Sequence, residues 1–146
     1  IAHGVVIEDA FGGSGADTLR GNEAKNTLKG RNGKDKLDGG AGQDVLLGGK
    51  GRDVLKGGRD DDRIEGGAGN DILFGCQGQD IFVFDGNRLG RDRIKDFDDG
   101  ADMLGLSYDK VVSIKQRGDD VRIVYEQGKI DLLNTLENLI TVEDFI

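Results

Sequence analysis

Carboxylate side chains recur every nine residues along the first half of this chain, and both the residue type and the spacing suit a metal ion. Aspartate occupies the same place in seven of eight consecutive nonapeptides between residues 12 and 83, and asparagine takes the remaining one. Oxygen ligands without accompanying Cys or His clusters favour a hard cation such as Ca²⁺ over zinc, copper or iron. The eight residues are Asp17, Asn26, Asp35, Asp44, Asp53, Asp62, Asp71 and Asp80.

Each nonapeptide is one structural step, because the eight blocks keep phase without any insertion. They read GGSGADTLR, GNEAKNTLK, GRNGKDKLD, GGAGQDVLL, GGKGRDVLK, GGRDDDRIE, GGAGNDILF and GCQGQDIFV. Glycine always comes first and an apolar residue always eighth, so positions 7 to 9 predict a very short strand with one buried side chain. Positions 1 to 6 predict glycine-rich turns. The predicted apolar stack comprises Leu19, Leu28, Leu37, Leu46, Leu55, Ile64, Leu73 and Phe82.

Strands separated by reversing turns alternate between two sheets, so one coil is expected to take two blocks. Turns one coil apart then stack at about 4.8 Å. Carboxylates stacked this closely repel unless a cation lies between them. With four turns on each edge, we predict three interturn sites per edge and about six calcium ions in all. The odd edge would carry Asp17, Asp35, Asp53 and Asp71, and the even edge would carry Asn26, Asp44, Asp62 and Asp80.

The predicted ligands combine these side chains with carbonyl-bearing turn residues. Two places are expected to be weaker or irregular: Asn26 lacks a charge, and Asp60 replaces the position-4 glycine of its block. Because one apolar side chain per nine residues makes a thin core, we expect calcium to be a condition of folding. The predicted turn ligands are Gly12, Gly13, Gly15, Gly30, Asn32, Gly33, Gly39, Gly40, Gly42, Gly48, Gly49, Gly51, Gly57, Gly58, Gly66, Gly67, Gly69, Gly75 and Gly78.

Two partial blocks follow the array, at residues 90–94 and 100–104, and each repeats positions 4 to 8. Asp92 could close the odd edge and Asp102 the even edge, and for each of them a ligand and a solvated acid are equally good interpretations. The nearby acids are expected to be solvated or outside the direct ligand set; these are Asp96, Asp98 and Asp99.

Composition and charge limit the remaining choices. The chain has 146 residues, 26 glycines, no proline and one cysteine, which excludes an internal disulfide. We interpret Cys76, at a position-2 glycine place, as a neutral replacement. The net charge of −8 divides unevenly: the array has 12 acids and 11 bases, leaving 16 acids and 9 bases elsewhere. No apolar run approaches the roughly 20 residues of a membrane span.

The array resembles RTX calcium-binding repeats, which implies an all-β, right-handed parallel β-roll with 18 residues per coil. The opening IAHGVVIEDAFGGSG resembles the lead-in to the β-roll of serralysin-type secreted zinc metalloproteases, and GNEAKNTLK resembles a block found there. The ending VEDFI resembles the acidic and apolar tail of proteins exported through ABC-type channels. We therefore expect a piece of a longer protein: 1–11 a lead-in from an upstream domain, 12–83 eight repeats, 84–105 partial repeats with insertions, and 106–146 an antiparallel cap with a type I secretion tail.

The resemblance implies a secreted, extracellular calcium-binding module, with an upstream catalytic domain and the secretion machinery as partners. Catalysis within the chain is not expected, because a zinc protease of this type needs a His-Glu-x-x-His motif and the only histidine is His3. One alternative is a module that binds an anionic polysaccharide, like the repeat modules of alginate-modifying enzymes. Another is the repeat region of a lipase, adhesin or toxin. Nucleic acid is not an expected partner.

Overall fold

The computed structural model describes residues 8–84, 90–98, 100–106, 111–126, 128–134 and 144–146, without the side chains at 112 and 116. The predicted lead-in is described only from Glu8, so His3 lies outside the described residues. The predicted secretion tail is described only at residues 144–146. Among the described residues, no helix is long and apolar enough to cross a membrane.

The described chain winds through two sheets, and successive nonapeptides contribute strands to them alternately. This confirms the predicted all-β coil. The six-stranded sheet has the order β1 (Asp9–Phe11), β3 (Thr27–Gly33), β5 (Val45–Gly51), β7 (Arg63–Gly69), β9 (Ile81–Val83) and β11 (Met103–Gly105). The eight-stranded sheet has the order β2 (Thr18–Arg20), β4 (Lys36–Ala41), β6 (Val54–Arg59), β8 (Ile72–Gln77), β10 (Gly90–Ile94), β14 (Gly128–Leu132), β13 (Asp120–Tyr125) and β12 (Val111–Arg117).

Neighbouring strands of the repeat region are parallel and lie one coil apart. Leu28 pairs with Leu46 on one sheet, and Leu37 pairs with Leu55 on the other. The offset is 18 residues through the array and becomes 21 and 22 in the last coil. The insertions between the partial blocks therefore leave the register of the stacked turns intact.

The strands are longer than the three residues that the pattern predicts. In β3, pairing with β5 covers Thr27, Leu28 and Lys29, omits Gly30, and resumes from Arg31 to Gly33. The turns thus hydrogen-bond from coil to coil as the short strands do. Position 1 is thus the residue at which the pairing of adjacent strands is interrupted.

The core is a single column of position-8 side chains between the sheets. Seven of the predicted eight are buried, and Leu19, in the first coil, is partly buried. Ile94 and Leu104 continue the column beyond the array. The alternation of the C-terminal segment predicts an antiparallel cap, which the structure confirms: β12, β13 and β14 are antiparallel, and β14 pairs in parallel with β10. The cap buries Val121, Ile123, Ile130 and Leu132 against the last coil.

Candidate metal centres between the coils

The repeating aspartates form two ladders, one at each edge of the roll, and nearly all are buried. On the odd edge, the N–H of Asp35 donates to Oδ1 of Asp53 at 2.8 Å, and the N–H of Asp53 donates to Oδ1 of Asp71 at 2.9 Å. On the even edge, the N–H of Asp44 donates to Oδ1 of Asp62 at 2.8 Å. From Asp35 onward, each ladder carboxylate is therefore held by the backbone of the preceding coil through its Oδ1.

The second carboxylate oxygen is buried without compensation. Oδ2 of Asp35, Asp44, Asp53 and Asp62 is inaccessible and accepts no hydrogen bond from any residue that the structure describes. A buried anionic oxygen left in this way costs free energy unless a positive charge balances it. Each of these carboxylates thus has an oxygen available to a cation.

The available oxygen lies beside the position-1 glycine of its own block. A Cβ built on Gly48 would lie 2.6 Å from Oδ2 of Asp53 and 2.4 Å from the carbonyl oxygen of Gly66, one coil further on. The corresponding distances from Gly30 are 2.4 Å to Oδ2 of Asp35 and 2.6 Å to the carbonyl oxygen of Gly48. A carboxylate oxygen and a backbone carbonyl oxygen thus converge on the space that glycine leaves open.

This donor set fits calcium. Ca²⁺ accepts a mixture of carboxylate and backbone carbonyl ligands in flexible geometry. Within the described residues, no three side chains of the His, Cys, Asp and Glu types form one cluster. Any ion between the coils would consequently take much of its coordination from the stacked turns, as their glycines allow.

Burial raises the pKa of four ladder carboxylates, those of Asp44, Asp53, Asp62 and Asp80, in the direction expected for buried carboxylates without a balancing charge. Desolvation, together with the charges of Asp80 and Asp44, raises the pKa of Asp62 to about 7 and outweighs the backbone hydrogen bond from Asp44, which lowers it. Desolvation likewise raises the pKa of Asp80 to about 6, with Asp102 adding to the effect. Ionising these groups is unfavourable without a cation, so a bound metal would stabilise both the charge and the coil.

The two edges differ in the charge of their turns. In the array, positions 2 to 5 of the odd turns contain only basic charged residues: Arg31, Lys34, Lys50 and Arg52. The even turns contain acids at the same positions, namely Glu23, Asp60 and Asp61, together with Lys25 and Arg59. The even ladder therefore lies in the more negative surroundings.

The partial blocks place both of their aspartates in the ladders. The N–H of Asp71 donates to Oδ1 of Asp92 at 2.9 Å, and the N–H of Asp80 donates to Oδ1 of Asp102 at 3.0 Å. Both carboxylates are buried, so neither is a solvated acid. Whether they ligate an ion stays a prediction, but each occupies the place of a ladder residue.

Three turn residues that replace a glycine of the repeat have positive φ. Asp60 adopts φ 71° at the position of a glycine, and its Oδ2 accepts the N–H of Gly42 at 3.0 Å. Arg31 and Cys76 each have φ 79° at position 2. Left-handed backbone is costly for residues with a Cβ, so Cys76 is a strained replacement and not a neutral one.

Sequence reasoning did not identify two contacts beyond the ladders. Asp96 accepts the backbone N–H groups of Gly75 and Cys76, both at 3.0 Å, and so caps an even turn. Asp131, on the cap strand β14, accepts hydrogen bonds from Arg91 and Arg122. The sequence feature that could have indicated the Asp131 contacts is an acidic residue within the apolar run KIDLL.

Comparison with known proteins agrees with this geometry. The family model of the RTX calcium-binding nonapeptide repeat matches residues 11–46 and 47–82. Among solved structures, the AlgE6R3 subunit of the Azotobacter vinelandii mannuronan C5-epimerase is 23% identical with a TM-score of 0.58, over 92% of this chain and 80% of that one. The extracellular lipase LipA of Serratia marcescens is 17% identical with a TM-score of 0.46. That match covers 94% of this chain but spans only 40% of the lipase. No curated protein sequence matches at a significant level.

Proposed function

Because residues 11–82 are RTX calcium-binding nonapeptide repeats, we propose that this chain folds on meeting extracellular calcium and thereby supports the secretion and stability of a larger exported protein. The repeat region is a non-catalytic calcium-binding module. The observation that carries the proposal is the set of buried ladder oxygens that accept no hydrogen bond from the described chain, as at Asp44 and Asp53.

Coupling between calcium and folding follows from the way the ladder is built. Each site combines oxygens from two coils, such as Oδ2 of Asp53 and the carbonyl of Gly66. These groups are together only when the coils are stacked, so the free energy of ion binding is folding free energy. Extracellular modules of this type respond to calcium at about 10⁻⁴–10⁻³ M. The chain would then stay unfolded and exportable through an ABC-type channel inside the cell, and would fold outside.

The parent we propose is a serralysin-type zinc metalloprotease. The support is the opening segment, residues 1–15, which resembles the lead-in of that family. A lipase, an adhesin or a toxin is the alternative parent. A His-Glu-x-x-His zinc motif upstream of this segment in the parent sequence would support the protease, and a Gly-x-Ser-x-Gly motif would support a lipase.

Circular dichroism in the far ultraviolet tests the folding proposal directly. In EGTA the chain should lack β structure, and a calcium titration should restore it in a cooperative step. Magnesium at the same ionic strength is the control, because it demands near-octahedral geometry and dehydrates reluctantly. Full β structure in EGTA would overturn the proposal.

A second candidate function is the binding of an anionic polysaccharide. The outward residues of the eight-stranded sheet include nine bases and three acids (Asp38, Asp120 and Asp131), although the whole chain has a net charge of −8. The bases are Arg20, Lys36, Lys56, Arg91, Arg93, Lys115, Arg117, Arg122 and Lys129. The outward face of the six-stranded sheet is balanced, with Lys29 and Arg63 against Asp9 and Glu65. Failure of the calcium-loaded chain to bind alginate or heparin at low salt would exclude this function.

A further inference from the structure

Where the roll meets the cap, one buried carboxylate holds two guanidinium groups in place. Oδ2 of Asp131 accepts a hydrogen bond from Nε of Arg91 at 2.5 Å, and Oδ1 accepts one from Nε of Arg122 at 2.6 Å. The Asp131 side chain is only 5% exposed. Burial by itself would raise the pKa of Asp131, but the hydrogen bonds from Arg122 and Arg91 outweigh it and the pKa is lowered. The carboxylate is therefore ionised and fixes the orientation of both arginines.

These arginines line an open cavity of about 190 Å³ together with two further arginines, Arg93 and Arg117. Arg93 lies beside Asp131 in the β10–β14 pairing, and Arg117 lies on β12 opposite Asp120. The guanidinium groups of Arg93 and Arg117 make no hydrogen bond or ion pair with a residue that the structure describes, although the backbone N–H of Arg93 donates to the carbonyl oxygen of Asp71. Arg91 contacts Asp131 through Nε alone, so its terminal nitrogens also lack a partner among the described residues.

The charge of the cavity lining is positive. The residues that line it include four arginines and two aspartates, Asp120 and Asp131, and Asp131 already accepts hydrogen bonds from two of the arginines. Planar guanidinium groups with free terminal nitrogens match oxyanions through paired, charge-assisted hydrogen bonds. Two of the four are held in advance, which lowers the entropy lost when a ligand is bound.

We propose that Arg91, Arg93, Arg117 and Arg122 form a binding site for one oxyanion, a sulfate, phosphate or carboxylate group, which is either free or carried by a larger acidic molecule. Asp131 is a positioning residue that orients two of the four guanidinium groups. This oxyanion site is separate from the proposed calcium sites. It does not require that the chain bind a polysaccharide, because a free oxyanion could occupy it.

The test uses the calcium-loaded chain with inorganic sulfate as the probe. Arginine Nε–Hε resonances are followed by NMR, and affinity is measured by calorimetry, with sodium chloride at matched ionic strength to separate binding from screening. The site variant is Arg93→Gln with Arg117→Gln, which leaves the Asp131 unit unchanged. The control is Lys36→Gln with Lys56→Gln, which removes the same charge from β4 and β6 on the same sheet. Circular dichroism checks that both variants fold.

Sulfate should shift the Nε–Hε resonances of Arg91 and Arg122 saturably, and chloride should not. The site variant should weaken sulfate binding at least about tenfold, equivalent to about 1.4 kcal/mol, and the control should change it little. A sulfated disaccharide that binds more tightly than free sulfate at these arginines would show that the group is carried. Equal weakening in both variants, or shifts that chloride reproduces, would overturn the site.

Discussion

Replacing Gly48 with alanine should disrupt one interturn calcium site by displacing the oxygens that line it. Gly48 does not have the positive φ that would disfavour a side chain, so the effect of the substitution depends on the atoms that the new Cβ would contact. The new Cβ would lie 2.4 Å from the carbonyl oxygen of Gly66 and 2.6 Å from Oδ2 of Asp53, the two oxygens that converge there. Both distances are shorter than a Cβ can accept, so the alanine methyl group would displace these oxygens from the positions in which they could ligate an ion.

The expected magnitude follows from linkage. An ion present at about 100 times its Kd stabilises the fold by about 2.7 kcal/mol. Each bound ion also makes the unfolding free energy rise by about 1.4 kcal/mol per tenfold increase in calcium. Gly48→Ala should therefore lose roughly 3 kcal/mol at saturating calcium, and its stability should depend on calcium with a slope smaller by about one ion.

Urea unfolding at several calcium concentrations measures both quantities. Gly15→Ala is the matched control, because a Cβ at Gly15 meets nothing within 4 Å. The slope separates the two causes of instability: a purely steric clash lowers stability equally at every calcium concentration. If Gly48→Ala kept the calcium slope of the unaltered chain, the oxygens beside Gly48 would not hold an ion.

Three further predictions follow from the turns and the ladders. Cys76→Gly should stabilise the calcium-loaded chain by about 1 kcal/mol in urea unfolding, because φ at this position is 79°, and Cys76→Ser should not. The pKa of Asp62 is raised to about 7 when folded, so the calcium-free folded state loses stability as pH rises from about 4 to about 7. Calcium must displace those protons, so the calcium midpoint of folding should be lower at about pH 8 than at about pH 6, with Asp62→Asn reducing the difference. Asn26→Asp should lower the calcium midpoint by restoring a charge to the even ladder, and an unchanged midpoint would mean that no ion lies beside Asn26.

The nine-residue period determines most of the fold, because it sets which side chain is buried and which turn stacks on which. Even Asp92 and Asp102 could be placed from their partial blocks, although their offsets are 21 and 22 residues. The lengths of the strands could not be predicted from the sequence. They depend on hydrogen bonding between the turns, which needs backbone angles that glycine permits but does not require. The contacts of Asp131 with Arg91 and Arg122 could not be predicted either. They connect three strands, and no sequence period relates the three residues.

Buried and exposed positions of the repeat are subject to different physical limits, which affects how function can be inferred. Positions 6 and 8 are buried in every nonapeptide after the first, and many of the turn glycines meet close backbone contacts, as at Gly49, where a Cβ would lie 2.1 Å from the carbonyl oxygen of Arg31. The two buried positions can therefore vary little while the coil persists, whereas positions 2 and 4 accommodate Arg31, Cys76 and Asp60 with positive φ. Positions 7 and 9 lie outside the column and contribute to one basic and one balanced sheet face, and positions 2 to 5 give two edges of unlike charge. Calcium binding can therefore be inferred from the positions that are the same in every repeat. A partner that binds this chain and not other rolls must contact the positions that differ between repeats.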